Sequence, residues 1–242
     1  MMMKNIVLSL VVGSAALASS AQADLIAYWN FNASTAGSGG GLGTVDQTYP
    51  FAANQGSGSI YTNFSINTVA GATSSNTGDL GTFGGTLTNA IAPDTAGGAL
   101  ALRAGNGLNS GVTNNGKYVE FRLNAGLFAD DIVLTYASQR SGTGFTTQQW
   151  QYSTDGGTTY VNFATVSGIP SAFGSVVQTV NFAAADLGGY ADLRFRVVVD
   201  GATNQGGNNR FDNIQFNASA IPTPGALALL GLGGLVAGRR RR

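Results

Sequence analysis

The chain has 242 residues, of which only 10% are charged, and it contains neither cysteine nor histidine. That excludes a disulfide, a thiolate nucleophile, a Cys/His zinc site and a Ser-His-Asp triad. Of 12 basic residues, Lys4 and Arg239 to Arg242 lie at the ends, so the body holds 12 − 5 = 7 basic against 12 acidic residues. A body near −5 has no electrostatic footprint for nucleic acid, which is not expected as a partner.

At the N-terminus, Met1-Met2-Met3-Lys4 precedes an apolar run over 6–17 and then Ala21-Gln22-Ala23. A short positive region, an apolar stretch and an A-x-A site predict a secretory signal helix over 1–23, cut by signal peptidase after Ala23. Composition then changes abruptly at Asp24, where a strand-like Leu25-Ile26-Ala27-Tyr28-Trp29 opens the body.

The body, 24–220, shows no long helical period and reads as one domain. Short runs of β-formers separated by Gly, Asn, Ser and Thr predict strands at 25–32, 99–103, 117–123, 131–139, 147–153, 160–167, 176–182, 191–200 and 210–217. Tyr118, Glu120 and Arg122 alternate with Val119, Phe121 and Leu123. Asp192, Arg194 and Arg196 alternate with Leu193, Phe195, Val197 and Val199. A period of two describes sheets with one dry and one wet face, and two of them pressed together form a sandwich. Residues 33–98 are richer in Asn, Gly, Ser and Thr, with Tyr49, Phe51, Tyr61, Phe64, Ile66, Leu80 and Phe83 as isolated anchors. They read as a loop-rich first part of the same sandwich, with 64–67 alternating like a short strand.

Four local motifs carry candidate chemistry. Ser153-Thr154-Asp155-Gly156-Gly157-Thr158-Thr159-Tyr160 fits an Asp-box. In a single copy it reads as a hairpin whose Asp and Ser tie down the turn. Trp150 and Tyr152 fall two apart on one strand and so share a side, either as core or, with Arg140, Gln148 and Phe145, as an aromatic platform for a sugar ring. Asp200, Asp212 and Asn213 border the last two strands, with Asn30 and Asn32 on the first. They are oxygen ligands of the type that holds a structural calcium, or else acceptors for backbone N–H groups; no other cofactor is indicated. Glu120 is the only glutamate, and no carboxylate pair sits on one strand face at the spacing a glycosidase needs.

The C-terminus reads Ile221-Pro222-Thr223-Pro224, an apolar stretch over 225–238, and Arg239-Arg240-Arg241-Arg242. The prolines end any strand, and 14 apolar residues make a helix of about 21 Å, short of a hydrocarbon core of about 30 Å. The arginines hold the end of such a helix on the cytoplasmic side, giving a short membrane anchor with the body outside. A Pro-x-Pro motif, a short Leu/Gly/Ala helix and a terminal arginine cluster resemble the PEP-CTERM sorting signal, with Thr223 standing where that family has glutamate. The resemblance covers 221–242 and implies export from a Gram-negative-type cell, transient tethering at the inner membrane and handling by an exosortase-type protease. It also implies a final location at the cell surface, in the outer envelope or in extracellular polymer.

The body resembles the jelly-roll-like β-sandwich modules that proteins with this signal carry, on 83–90, 134–137, 150–156 and 210–214. The expected fold is therefore all-β, a jelly-roll-like β-sandwich flanked by an N-terminal signal helix and a short C-terminal helix. The expected function is that of an exported, non-enzymatic structural or adhesive component of the surface or extracellular matrix. Two other readings stand beside it: a carbohydrate-binding module that engages extracellular polysaccharide, and a polysaccharide-acting hydrolase using Glu120.

Overall fold

A computed structural model describes residues 23–219 apart from 39, 71–76, 106–110, 124–131, 186, 188–189 and 191. The predicted signal segment with Ala21, the sorting segment 221–242 and both flanking helices lie outside the described residues or at their edge. Thirteen strands follow in chain order: β1 (Ala23–Trp29), β2 (Phe51–Ala52), β3 (Gln55–Gly56), β4 (Gly58–Thr62), β5 (Leu80–Gly84), β6 (Gly98–Arg103) and β7 (Tyr118–Leu123). Then come β8 (Val133–Arg140), β9 (Thr147–Ser153), β10 (Val161–Ser167), β11 (Val177–Asn181), β12 (Leu193–Asp200) and β13 (Asn208–Ser219). A single 3-10 turn at Ala183–Ala185 is the one helical element among the described residues.

The strands form two sheets. One has six strands in the order β10-β9-β12-β7-β4-β2. The other has seven: β11-β8-β13-β1-β3 along its main path, with β6 paired to β13 and β5 to β6. All strand pairings are antiparallel. Residues 33–98 supply β2 and β4 to one sheet and β3 and β5 to the other, so the Gly/Asn-rich first third is built into both layers. Residues 64–67, read as a short strand, contribute only an isolated bridge, Ile66 to Leu80. The sequence offers too little alternation in β2 to β5 to mark them, because their strands are two to five residues long.

The inward faces meet in one apolar cluster that draws on both sheets, including Trp29, Leu134, Tyr136, Phe211 and Phe216 from one and Phe121, Trp150, Phe195 and Val197 from the other. Trp29 sits edge-on to Phe121 (5.4 Å) and Phe216 (6.3 Å), and Phe195 lies 5.2 Å from Phe216. One chain of polar groups inside this core is paired throughout. Trp150 Nε1 donates to Tyr136 Oη (3.0 Å), which donates to Gln148 Oε1 (2.7 Å), and Gln148 Nε2 donates to Ser138 Oγ (3.0 Å). That chain satisfies four side chains that would otherwise be costly to bury.

Candidate functional site

Of the residues singled out in the sequence, Asp212, Asn213 and Asn30 share one hydrogen-bonded network, whereas Trp150, Tyr152, Arg140 and Asp200 do not join a common site. Trp150 is 0% exposed, with its indole N–H spent on Tyr136, so it offers no ring face to a sugar. Tyr152 points the same way and packs against Phe163 and Phe182. Arg140 ends β8, in the opposite sheet, and its Nη1 donates to the carbonyls of Ser141 and Gly142 in its own turn. An aromatic platform on Trp150, Tyr152 and Arg140 is therefore corrected: the two rings are on the dry side of β9, and the guanidinium belongs to a different layer.

The calcium set is corrected for a similar reason. Asp200 is exposed at the end of β12 in the six-stranded sheet, and its carboxylate accepts the N–H of Gly201. Asp212 and Asn213 are fully buried in β13 of the other sheet. Along one edge β13 changes partner there, from β6 at Phe211–Leu100 to β1 at Ile214–Trp29. The chain fills the gap with segment 85–97. Thr86 N donates to Asp212 Oδ2 (2.7 Å), Asn213 N donates to Asp212 Oδ1 (2.8 Å), and Asn213 Nδ2 donates to the carbonyls of Thr86 (2.8 Å) and Thr88 (2.9 Å). Asn89 Nδ2 donates back to the Asn213 carbonyl (2.7 Å). Tyr28 Oη shares its proton between Asp94 Oδ2 (2.7 Å) and Asn213 Oδ1 (2.8 Å), and Asn30 Nδ2 also reaches Asp94 Oδ2 (2.8 Å). Burial pushes the Asp212 carboxyl up to about 8 against the pull of its two N–H bonds. This cluster clasps a covering segment. Among the described residues, no group of three or more His, Cys, Asp or Glu side chains is placed to hold a metal ion.

The surface that does assemble is the wet face of the six-stranded sheet. The register draws its side chains into rows across the strands. One row runs Tyr61 (β4), Glu120 (β7), Arg196 (β12), Gln151 (β9), Asn162 (β10). A second runs Ser59, Arg122, Arg194, Ser153, and a third Tyr118, Val198, Gln149, Thr165. Five adjacent strands at about 4.8 Å spacing make the first row about 19 Å long.

Its groups hold one another in place. The Glu120 side chain is only 6% exposed and takes Arg122 Nε at 2.6 Å and Arg194 Nη1 at 3.7 Å. Tyr160 Oη donates to the other Glu120 oxygen, and burial together with that bond pushes the phenol up, keeping it a donor. The Arg122 guanidinium lies 3.5 Å over the Tyr61 ring, and that of Arg196 lies 3.6 Å over Tyr160 and 5.2 Å from Tyr118. Gln151 Oε1 accepts from Arg196 Nε, and Gln149 is held by the carbonyls of Trp150 and Ala164 and by Thr165 Oγ1.

The Asp-box turn is what brings Tyr160 into this array. Asp155 Oδ1 accepts from Ser153 Oγ (2.7 Å) and Thr159 N (2.9 Å), Asp155 Oδ2 accepts from Thr159 Oγ1 (2.7 Å), and Gly157 N donates to Ser153 Oγ (2.8 Å). Those bonds from Thr159 and Ser153 hold the Asp155 carboxyl well below the usual carboxylate range. Gly157 has φ of +85°, and a Cβ there would stand 2.8 Å from Arg194 Nη1 and 3.1 Å from Tyr160 Oη. Glycine thus lets the turn lie flat against the sheet.

At the β2 end the face continues through exposed Tyr49, edge-on to Tyr61 at 5.8 Å. Beside Tyr49 opens a cleft of about 400 Å³ lined by Thr44, Val45, Gln47, Phe51, Ile66 and Asn67. Gln47 Oε1 is buried there without a hydrogen-bond partner among the described residues.

No family model matches the chain, and no curated protein matches it. Among solved structures it is similar to the CBM22-1 xylan-binding domain from Paenibacillus barcinonensis Xyn10C, at 10% identity and a TM-score of 0.41, over 84% of this chain and 99% of that one. It is also similar to TmCBM61, solved in complex with β-1,4-galactotriose, at 7% identity and 0.38, over 67% and 88%. A third is the xylan-binding module CBM15, at 10% identity and 0.38, over 54% and 88%.

Proposed function

We propose that this protein binds polysaccharide, without turnover, on the wet face of its six-stranded sheet. The observation that supports the reading is the row from Tyr61 to Asn162, which with Arg122 and Tyr160 beside it forms a track of tyrosine rings, guanidinium planes and side-chain amides already fixed by mutual contacts. Sugars offer hydroxyls that both donate and accept, and faces of C–H groups that pack on planar side chains. Side chains held before binding lose little rotamer freedom when the ligand arrives. A row about 19 Å long suits several consecutive sugars, and the Tyr49 cleft extends it at one end.

Adhesion is the natural use of such a face on an exported chain. Under this reading signal peptidase cuts after Ala23, and the 221–242 segment tethers the chain at the inner membrane until an exosortase-type protease processes it. The mature protein then binds polymer at the envelope or beyond.

Affinity electrophoresis of the full-length protein through a panel of soluble polysaccharides tests the binding claim. At least one polymer should retard it, and the double variant Tyr61→Ala, Gln151→Ala should lose that retardation about tenfold or more with an unchanged circular dichroism spectrum. If no polymer retards the protein, or if substitutions on the seven-stranded sheet weaken binding as much, the proposal is wrong.

A further inference from the structure

We infer that the polysaccharide is acidic and of low charge density, and that Arg196 receives a sugar carboxylate. This rests on the binding face argued above and names the chemistry of its ligand. Three of the seven basic residues of the body, Arg122, Arg194 and Arg196, stand on this one face of a domain that is net acidic. Two of them are already matched. Arg122 and Arg194 share Glu120, and Arg194 Nε also meets Asp192 at 3.3 Å.

Arg196 differs from both. No described carboxylate lies within ion-pair distance of it, although Glu120 is its direct cross-strand partner. The reason is geometric: Glu120 is turned toward Arg122, Arg194 and Tyr160. Arg196 spends Nε on Gln151 and its plane on Tyr160, and its two Nη groups bond to no described residue. A guanidinium stacked on a ring and anchored through Nε keeps its fork in one orientation. That fork fits two oxygens of a carboxylate in parallel, which an ammonium or a mobile arginine does not do as well.

Charge balance also limits the ligand. Arg122 and Arg194 have ion-pair partners and Arg196 has none, while Asp200 at the end of β12 and the ionised Asp155 of the turn add negative charge to the same face. Glu120 stands next to Arg196 in the main row, and with Asp155 and Asp200 it repels a second anion placed beside the first. A polymer with a carboxylate on occasional sugars fits this pattern. A densely sulfated chain or a nucleic acid does not.

The test is isothermal titration of the full-length protein with three polymers. Polygalacturonate carries one carboxylate per sugar, its methyl ester keeps the sugars and removes the charge, and a partially esterified sample has the spaced carboxylates argued for. A sulfated galactan serves as the fourth arm. The expected result is that the partially esterified polymer binds at least tenfold tighter than the full ester, with the difference shrinking as salt rises from 50 to 500 mM. Arg196→Gln should bring its affinity down to that of the full ester, and Arg196→Lys should restore only part. Both variants should keep the wild-type urea midpoint, which also checks that they fold. Equal binding of charged and uncharged polymers, or equal loss on both in Arg196→Gln, would overturn the carboxylate assignment and leave the binding face standing. Tightest binding by the sulfated galactan would overturn it in favour of sulfate esters. Failure of all four polymers to bind would overturn this inference, and the binding face itself would then stand or fall with the affinity-electrophoresis panel.

Discussion

The two sheets bury their dry faces against each other and treat their wet faces in opposite ways. On the seven-stranded sheet, segment 85–97 lies across β13, and Asp212, Asn213 and Asn89 exchange hydrogen bonds with it. On the six-stranded sheet, a comparable set of tyrosines, amides and charges bonds mainly along and between strands, and only the short 153–160 turn returns over it, where Tyr160 meets Glu120. The residue types are similar, and the covering segment makes the difference. Where the chain returns over the sheet, polar side chains become structural and fully buried. Where only a short turn returns, Glu120 and Ser153 are buried beneath it and most of the remaining polar side chains stay half-exposed. Substitutions should therefore cost stability on the covered face and binding on the open one.

The largest effect belongs to neither wet face and sets the scale. Phe195 on β12 is fully buried among Phe182, Phe216 and the rest of the shared core. Phe195→Ala should cost about 3–5 kcal/mol in urea melts, through lost transfer energy and a residual cavity. A cost under about 1 kcal/mol would mean the sheets are not pressed together at this point.

Asn213→Ala comes next. Asn213 has φ of +49°, where alanine is strained, and its amide holds two carbonyls of the covering segment. Strain and unpaired buried carbonyls together should cost about 3 kcal/mol. Gln151→Ala on the open face should cost less than about 0.5 kcal/mol. Equal costs would break the contrast between the faces.

A third test uses pH. The Asp212 carboxyl is raised by burial from 3.8 to about 8 in the folded state. Between those values the folded protein keeps a proton that the unfolded chain gives up. The group's contribution to stability is therefore fully present below about pH 4 and is lost as pH rises toward 8, at no more than about 1.4 kcal/mol per pH unit. Urea midpoints at pH 5, 6 and 7 should fall in the wild type and fall less steeply in Asp212→Asn. Parallel curves would show that Asp212 is ionised beneath its covering segment.

Much of the layering can be read from alternation alone. The period of two in 193–199 and 118–123 separates the dry residues from the wet ones, and the structure places them on those sides. The wet-face arginines and Glu120 of the candidate site were thus visible as outward positions. What the sequence does not show is which wet face is covered. That depends on segment 85–97 returning to β13, a contact between residues more than a hundred positions apart. Trp150 and Tyr152 drew attention as large aromatics, yet aromatics on a sandwich strand usually face inward, and these do. Tyr160 joins the site only because the Asp-box turn folds back over Arg194, which no strand pattern reveals.

A last substitution sharpens the contrast from the open side. Arg194 stands on the wet face of the same strand as Phe195, with its side chain 19% exposed. An arginine so placed is nearly neutral to remove unless it compensates a buried charge. Here it does, because Glu120 is 6% exposed and counts Arg194 among its three partners. Arg122 and Tyr160 stay behind when Arg194 is cut, so Glu120 is weakened without being orphaned. Arg194→Ala should then cost about 1 kcal/mol, with Asp192→Ala costing less, since Asp192 is largely in water. The double variant Arg194→Ala, Glu120→Gln should recover most of the loss, because the buried charge is gone. If the two substitutions add instead, Arg194 supports the face through packing against the 153–160 turn, and Glu120 is held by Arg122 and Tyr160 alone.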